Sequence, residues 1–475
     1  MDRRSTADAR RAGGMPVKTP VSVVVRHAPS GLTWPDASDR VELWDNLLLF
    51  GLGLVLGFAA LAFGTTEPWS EFILECGAAA LFLLWAARQV VGGKLELRPS
   101  PLYFPTLAFA LLVAVQLVFG ISVYRYATVQ ESFRYLAYGL LMFVAIQSFH
   151  SRQQIQRFLF GMSVFGFLLA VFAILQDLTS NGKLYWVRTP TVKAWAYGPY
   201  ANHSHWAGLM ELLTPLPLAL MMRQRATPPQ KALLGFAILM MGSTIFLSGS
   251  RGGMISFAVQ VVFGATLMLL RGRSSERLRD LAILAVIGVA FLTWLGGSRV
   301  SQRIESAYTE GGATMSNTLD ARFRLALDKD TFAMAKARPI LGWGLNCFPA
   351  AFPQFQTFYT DRFVNAAHND FLQLLAETGV IGFAIMLWFL IGMFRSALRR
   401  TRPAGFVSSA KLSALVACAG VLVHGLVDFN LHVAANAALF YVLAALASAE
   451  EVEGASRNVV RREQGPVLVH DITLN

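Results

Sequence analysis

The sequence predicts an all-α integral membrane protein with about 12 transmembrane helices and a large loop on the outer side. Of its 475 residues, 55% are hydrophobic and only 15% are charged, and the mean hydropathy is +0.48. A soluble chain of this length carries roughly 25% charged residues. The apolar residues are also gathered into blocks of about 20 residues, the length that a helix needs to cross the hydrocarbon core of a bilayer.

Hydropathy divides the chain into a polytopic membrane domain at residues 46–450 and two polar tails, at 1–45 and 451–475. The first tail contains no long apolar stretch, so we expect no cleavable signal peptide. Within the membrane domain, hydropathy predicts twelve spans, at residues 46–64, 71–88, 105–122, 132–149, 158–176, 205–222, 232–249, 253–270, 280–296, 370–394, 409–428 and 431–448.

Arginine and lysine side chains decide the predicted orientation. The first tail carries Arg3, Arg4, Arg10, Arg11 and Lys18, and every second loop after it is also basic. By the positive-inside rule this side is the cytoplasm, so we predict that both tails are cytoplasmic. The same rule accounts for the net charge of +12, which therefore does not indicate nucleic-acid binding.

Two long loops, at 177–204 and 297–369, must then face outward. Within the second loop, residues 321–337 have apolar side chains at helical spacing, and Pro339 ends that pattern. We expect an amphipathic helix there, lying at the outer membrane surface.

Polar side chains crowd toward the outer ends of the predicted spans, and the ionisable ones among them are functional candidates by default. A transporter should distribute them across the midplane instead. This placement favours a site that opens outward. The residues concerned are Glu75, Glu211 and Glu377, together with His424, Asp428, Asn430 and His432 around the last outer turn.

The stretch SGSRGGM at 248–254 places Arg251 at a predicted outer turn. An arginine in a glycine-rich turn is often only a snorkelling side chain. Its guanidinium also fits phosphate oxygens, and the neighbouring glycines let a ligand approach the backbone. Several arginines around an outer cavity would suit a lipid diphosphate. Other outer cations are Arg188, Lys193, Arg322 and Arg324.

In the stretch YGPYANHSHW, Asn202, His203 and His205 precede a predicted span. The His-x-His pair supplies two ligands, which are too few for a metal site. The aromatic residues around it would anchor the segment at the membrane interface whatever the function. We expect no metal and no cofactor, because the three cysteines also lack metal-binding spacing. They are Cys76, Cys347 and Cys418.

Two further stretches, ARPILGWG and AHND, flank the re-entry of the large loop. Gly342 and Gly344 follow no predicted strand, so they do not form a dinucleotide-binding loop, and we expect a turn at the membrane surface. Asn369 and Asp370 are predicted to cap the following helix. Capping leaves His368 unexplained.

These four stretches, in this order, resemble the O-antigen ligase and O-antigen polymerase superfamily, and the matching motifs cover roughly residues 200–385. The resemblance implies a GT-C-like fold with a large periplasmic loop at 297–369, in the bacterial inner membrane. It also implies an enzyme that moves a glycan from an undecaprenyl diphosphate carrier to an acceptor, in lipopolysaccharide or exopolysaccharide biosynthesis. The acceptor is lipid A–core for a ligase and another lipid-linked glycan for a polymerase, and other implied partners are envelope polysaccharide assembly proteins.

The resemblance also implies roles. Arg251 and Arg324 would contact the diphosphate, with Arg322 as the near alternative to Arg324. His368 would be the general base on the acceptor hydroxyl or a diphosphate contact. Such glycosyl transfer would invert the anomeric configuration and need no metal, because arginines can stabilise the leaving group. The other expected substrate contacts are Arg188, Asn202, His203, His205, Gly342, Gly344, Asn369 and Asp370.

Two other classes of protein stay open as alternatives. One is a transporter of the bicarbonate type, and the missing midplane charges argue against it. The other is a non-catalytic scaffold for envelope assembly, against which the presence of Arg251 and His368 argues weakly.

Overall fold

The computed structural model describes residues 37–190, 196–223, 226–271, 315–360, 363–399 and 405–450, and the side chains of 37–40 and 315–322 are outside this description. The described residues form fourteen α-helices joined by turns and short 3-10 segments. The helices are α1 (Ala37–Leu61), α2 (Pro68–Gly92), α3 (Tyr103–Val118), α4 (Arg125–Ser148), α5 (Arg152–Thr179), α6 (His203–Leu213), α7 (Leu216–Met221), α8 (Pro228–Ser248), α9 (Arg251–Leu270), α10 (Met315–Ala337), α11 (Phe348–Ala351), α12 (Asp370–Leu398), α13 (Phe406–His424) and α14 (Ala434–Ser448).

Seven of the described helices are long and apolar enough to cross a membrane: α1, α2, α5, α8, α9, α12 and α13. The apolar helices α3 and α14 are shorter, at 16 and 15 residues. The chain is therefore a multi-pass, all-helical membrane protein over the described residues, as predicted. The span predicted at 280–296 lies outside the described residues, so the total of twelve stays a prediction.

One predicted span is divided into two separate helices. The segment 205–222 forms two helices, because α6 ends at Leu213 and α7 begins at Leu216. Pro215 and Pro217 lie at the break, and proline both removes a backbone donor and clashes with the preceding turn. The break leaves α6 as a short helix whose first turn points to the outer side of the predicted membrane.

The helices α13 and α14 form the centre of the bundle. In the most apolar stretch of α13, 89% of the residues are buried inside the protein, and nearly every residue of α14 is buried. Buried alanines of α14, such as Ala437, Ala438 and Ala444, have small side chains and so let α14 lie close to α4 and α13. The turn between these two helices therefore starts and ends on buried helices.

The large loop has a small hydrophobic core of its own. The expected helix is present as α10, and its residues Leu327 and Met334 are fully buried. They pack with Phe348, Phe352 and Trp343, whose indole Nε1–H donates to the carbonyl of Met334 at 2.8 Å. The buried residues of α10 thus contact protein, because the aromatic residues after Pro339 cover them. Leu325 and Phe332 of the same helix are exposed, and its position at the outer membrane surface stays a prediction.

The segment PILGWG docks into a break in α12. Gly379 has φ +65° and ψ −170°, so the helical hydrogen-bond pattern is interrupted there. The freed backbone groups bond across to the segment, since Trp343 N donates to Ala376 O at 3.1 Å and Val380 N donates to Pro339 O at 2.8 Å. These backbone hydrogen bonds attach the loop to α12 on both sides of the break.

We predict that Gly379→Ala destabilises the protein by roughly 1–3 kcal/mol, because the left-handed φ disfavours a side chain. A β-carbon at this position also lies 2.2 Å from the carbonyl oxygen of Ile340. Thermal unfolding of the purified protein in detergent measures the effect. Gly161→Ala in α5 is the matched control, since its β-carbon meets nothing within 4 Å. Equal midpoints for the two variants would contradict the prediction.

Candidate active site

The candidate site is built around the turn that follows α13. In this turn the Asp428 carboxylate lies between two imidazoles. Its Oδ1 is 3.3 Å from Nδ1 of His368 and 4.0 Å from Nε2 of His205. Burial alone would raise the pKa of Asp428, but the hydrogen bond from His368 and the neighbouring imidazoles outweigh it and hold the pKa below its usual value. Asp428 is therefore an anion between two histidines.

The aromatic ring of Phe429 fixes the angle of both imidazoles. The ring centroids of His205 and His368 lie 4.6 Å and 4.8 Å from that of Phe429, each in an edge-on arrangement. Such edge-on contacts contribute stabilisation in addition to the free energy of burying the surface of the rings. The two histidines are thus oriented by one carboxylate and one ring on adjacent residues.

His368 itself has an unusual backbone conformation, with φ +52°. Residues other than glycine adopt this left-handed region infrequently, and they do so most often where the surrounding structure and a function require it. The next residue, Asn369, caps α12, because its side-chain oxygen accepts from Leu372 N at 3.1 Å. The chain therefore turns sharply at His368 and enters the helix immediately afterwards.

The predicted capping role of Asp370 is wrong. Asp370 is the first residue of α12, and its carboxylate accepts from His432 Nδ1 at 2.7 Å and from Leu431 N at 3.1 Å. Its own backbone N–H donates to Gly425 O at 2.8 Å. Asp370 thus ties the start of α12 to both ends of the turn that carries Asp428. Asn369 already occupies the capping position.

Two more helices begin at the same place. Asn202 caps α6 by accepting from Ser204 N at 2.8 Å, and Ser250 caps α9 by accepting from Gly253 N at 3.0 Å. The hydroxyls of Ser204 and Ser250 are 3.1 Å apart, so the two helix starts are adjacent. The first turn of a helix presents unpaired N–H groups and a partial positive charge.

The glycines of SRGG allow this close packing. A β-carbon on Gly252 lies 3.0 Å from His424 Nε2 and from a methyl group of Val427, and one on Gly253 lies 2.6 Å from the β-carbon of Ala207. A larger residue at either position would push the start of α9 away from α6 and from the Asp428 turn. The sequence motif therefore has a packing role in addition to its predicted ligand role.

Arg251 and Arg324 both lie at the edge of this cluster. Arg251 is the first residue of α9 and is exposed. Arg324, on α10, is also exposed, and its Nη1 donates to the carbonyl of Val427 at 2.8 Å, next to Asp428. The side chain of the alternative residue, Arg322, is outside the described residues, as is Lys193.

Asp328 is a neighbour of the site that the sequence did not suggest. It lies one turn after Arg324 on α10, is hydrogen-bonded to the side chain of Asn369, and interacts electrostatically with Arg324 and His368. Burial raises its pKa, and these three neighbours partly offset the increase. Asp328 therefore links α10, in the large loop, to the start of α12, next to His368.

Three of the predicted substrate contacts are placed elsewhere by the structure. Arg188 pairs with Glu67 at 2.6 Å and lies over the ring of Phe63, 4.9 Å from its centroid. Gly342 and Gly344 are packed against backbone, since their β-carbons would lie 2.3 Å from the carbonyl carbon of Glu377 and 2.7 Å from Ser122. A direct role of these three residues in binding stays a prediction. His203 begins α6 and is half-buried at its start.

A buried polar layer lies beneath the cluster. His424 Nδ1 is 3.0 Å from Glu211 Oε1, both side chains are fully buried, and Ser256 donates to the same carboxylate at 2.5 Å. Gln260 Nε2 donates to the carbonyl of Glu211 at 2.9 Å. These bonds connect α6, α9 and α13 further along α6 and α9 from their capped starts, and they hold the three helices together there.

A cavity of about 970 Å³ adjoins the cluster on its other side. It lies between α3, α4, α12 and α14 and is lined mainly by apolar and aromatic side chains, with Asp370 and His432 at its outer end. A volume of this size is at the upper end of the roughly 300–1,000 Å³ that is typical of ligand sites.

The described part of the chain thus defines a polytopic membrane protein in which three capped helix starts, two arginines and a histidine–aspartate pair meet at one place. Residues 236–389 match a family model described as O-Antigen ligase. The match covers about a third of the chain and includes SRGG, PILGWG and HND, so the predicted resemblance to this family is confirmed there. It supports a role in membrane glycan transfer. No curated protein matches the chain.

We predict that the fold loses stability as the pH is raised from 7 to 10. Burial disfavours the charged form of His432, but its hydrogen bond to Asp370 and the nearby carboxylates raise its pKa from 6.5 to about 9. A raised pKa stabilises the fold fully below about pH 6.5, and this stabilisation is lost as the pH passes about 9. The loss is at most about 3 kcal/mol.

The measurement is the thermal unfolding midpoint in detergent at pH 7, 8, 9 and 10, for the wild type and for His432→Gln. The midpoint of the wild type should fall over this range by more than that of the variant. A parallel decline in both proteins would show that another group causes the effect.

Proposed function

We propose that this protein is a glycosyltransferase that moves a glycan from an undecaprenyl diphosphate carrier to an acceptor at the periplasmic face of the bacterial inner membrane. One observation carries the proposal: His368, held by Asp428, lies where the N-termini of α6, α9 and α12 converge beside Arg251 and Arg324. This combination places a base next to a group of anion-binding elements. The family match over residues 236–389 supports it.

The helix starts and the arginines would bind the diphosphate. Helix N-termini favour anions through their free N–H groups and their dipoles, and arginine binds phosphate oxygens in a bidentate manner. When the bond between the anomeric carbon and the diphosphate oxygen breaks, negative charge grows on the leaving group. Donors already in place around that charge stabilise it without further reorganisation. We therefore assign Arg251 and Arg324 to the leaving group and propose that the transfer needs no metal.

His368 would remove the proton from the acceptor hydroxyl. Asp428 lies against Nδ1, so the imidazole keeps its proton on that nitrogen and Nε2 is the atom that can accept another. The hydroxyl oxygen attacks the anomeric carbon as its proton passes to His368, and the diphosphate leaves from the opposite face. This geometry inverts the anomeric configuration. Asp428 and His205 are positioning residues in this scheme, because they act through His368.

Ligase and polymerase differ only in the acceptor, which is lipid A–core for the first and another lipid-linked glycan for the second. We propose that envelope polysaccharide biosynthesis is the process in either case. The type can be read from the product that accumulates when the protein is inactive: uncapped lipid A–core indicates a ligase, and single repeat units indicate a polymerase.

We predict that His368→Ala lowers glycan transfer by about 10²–10⁴-fold, as expected for loss of a general base. Arg251→Ala and Arg324→Ala should each lower it by about 10²–10³-fold, because each removes a charge from the leaving-group site. The assay is complementation of a knockout, with envelope glycans separated on a gel and membrane expression checked for each variant. Transfer by membranes carrying the wild type should be unchanged by EDTA.

Arg395→Ala, an exposed arginine at the far end of α12, is the matched control and should complement fully. Asp428→Asn should reduce transfer less than His368→Ala and shift its pH profile, because the imidazole stays in place but loses its carboxylate. A normal glycan pattern from both Arg251→Ala and His368→Ala would overturn the proposal in favour of transport or scaffolding.

We further predict the side of the membrane on which the site lies. Single cysteines introduced at positions 251, 324 and 368 of a variant lacking Cys76, Cys347 and Cys418 should react with a membrane-impermeant maleimide added from the periplasmic side. A cysteine at position 395, at the opposite end of α12, should react only after the cells are opened. Labelling of positions 251, 324 or 368 only from the cytoplasmic side would overturn the proposed orientation.

A further inference from the structure

The cavity between α3, α4, α12 and α14 has an inner end, far from the candidate site. Its lining extends along α12 from Asp370 to Leu390, which is roughly 30 Å of helix at about 1.5 Å per residue. The positive-inside rule places the end near Leu390 at the cytoplasmic side, with the loop 93–102 between α2 and α3. Arg98 of this loop is the one arginine or lysine among the described lining residues. The inner end of the cavity therefore carries a cation.

Arg98 is held by its backbone, so its guanidinium is available to a ligand. The hydrogen bonds of Arg98 to described residues are made by its N–H, which donates to Gln147 Oε1 at 3.0 Å, and by its carbonyl, which accepts from Gln147 Nε2 at 3.2 Å. The nearby carboxylates of Asp45 and Glu96 are paired with Arg88, at 3.0 Å and 3.5 Å. Loss of hydration on burial outweighs their attraction and lowers the pKa of Arg98. The protein therefore compensates this charge only in part.

A second donor lies at the same end of the cavity. Tyr103 lines it, and the hydroxyl oxygen of Tyr103 accepts from Gln147 Nε2 at 2.7 Å. A hydroxyl that accepts in this way can still donate its own hydrogen. A guanidinium and a hydroxyl suit phosphate oxygens, whereas the outer end of the cavity carries the acidic side chains of Asp370 and Glu377. A phosphate group therefore fits the inner end.

The inner half of the cavity is apolar and open to the bilayer. Phe143 and Phe389 line it. Leu97 and Leu107 also line it and are 57% and 65% exposed, so they form its rim. Exposed apolar side chains at this level face lipid chains, not water. A lipid of one leaflet extends over about half of the roughly 30 Å hydrocarbon core, so a chain that enters here would stop short of Asp370.

We propose that the inner end of this cavity binds an anionic phospholipid of the cytoplasmic leaflet, with its phosphate at Arg98 and Tyr103 and one acyl chain between α3 and α4. Basic pockets between membrane helices at the cytoplasmic side suit such headgroups. An anionic headgroup fits better than a zwitterionic one, because the latter would bring an ammonium group next to Arg98. The lipid is a resident part of the bundle and not a substrate, and the inference does not rest on the proposed function.

The test uses the purified protein in detergent and a photoreactive phosphatidylglycerol that carries a diazirine on one acyl chain. Adducts mapped by mass spectrometry should lie on lining residues of the inner half, such as Leu107, Phe143 and Phe389. Unlabelled phosphatidylglycerol should suppress labelling at least about fivefold more effectively than phosphatidylcholine with the same chains. Inorganic phosphate should leave labelling unchanged, because it has no chain to bury.

Arg98→Gln should lower labelling at least about fivefold, because it removes the charge that binds the phosphate. Arg98→Lys should restore part of the labelling, since it keeps the charge but loses the planar fork. Lys94→Gln is the matched control. Lys94 lies in the same loop and is exposed, but it does not line the cavity, so its variant should label like the wild type.

Gly139→Phe tests the position of the acyl chain separately. A β-carbon at Gly139 meets only a methyl group of Thr106, at 3.7 Å across the gap between α4 and α3, so a ring has space to enter the cavity. Labelling should fall at least about tenfold although Arg98 is intact. Gly161→Phe on α5 is the matched control, because its β-carbon meets nothing within 4 Å.

Four outcomes would each overturn the proposal. Adducts spread evenly over the lipid-facing helices would show that the cavity holds no specific lipid. Equal suppression by the two unlabelled lipids, or unchanged labelling of Arg98→Gln, would show that Arg98 does not select the headgroup. Suppression by inorganic phosphate would assign Arg98 to a free anion. Adducts next to Asp370 would assign the cavity to a chain that enters from the outer leaflet.

Discussion

The position of one carboxylate determines how the outer end of this protein is assembled. Asp428 lies on the nine-residue connection between α13 and α14. His368 approaches it from the start of α12, and His205 approaches it from α6. A buried anion is tolerated only where partners compensate its lost hydration. The two imidazoles therefore have to stay close to it, and through them α6 and α12 are held at fixed positions relative to the central helices.

The helix starts impose a second constraint on the same region. Each start leaves N–H groups that need acceptors, and Asn202, Ser250 and Asn369 satisfy only some of them. Bringing three such ends together concentrates partial positive charge, to which the exposed side chains of Arg251 and Arg324 add. The carboxylates of Asp328 and Asp428 lie at the same place and offset part of this charge. The convergence of the three helix starts agrees with the anionic ligand that the proposed function requires.

Local patterns made much of this region predictable. The capping spacing identified the start of α12, helical periodicity identified α10, and the stretch SGSRGGM correctly marked a turn, with Arg251 as the first residue of the next helix. Hydropathy also located the apolar helices, but it treated residues 205–222 as one span because it averages over Pro215 and Pro217. A steric rule for proline would have identified that break.

The remaining features depend on contacts between distant parts of the chain. The sequence placed Asp428 at an outer turn, yet nothing local shows that its carboxylate faces His368, sixty residues earlier. Asp370 satisfied the chemical rule for a cap equally well as Asn369, and only the position of His432 shows why it serves another purpose. Gly342 lies in a turn with φ +68°, as predicted, but only the structure shows that the backbone of Glu377 also requires its small size.

The break at Gly379 has a mechanical consequence. Because PILGWG bonds to the backbone on both sides of the break, this segment braces α12 where the helix's own hydrogen bonds are interrupted. The same segment follows α10 directly, and Asp328 of α10 is also hydrogen-bonded to Asn369 at the start of α12. A displacement of α10 would therefore be passed on to α12 at two places, and Arg324 and His368 would move together.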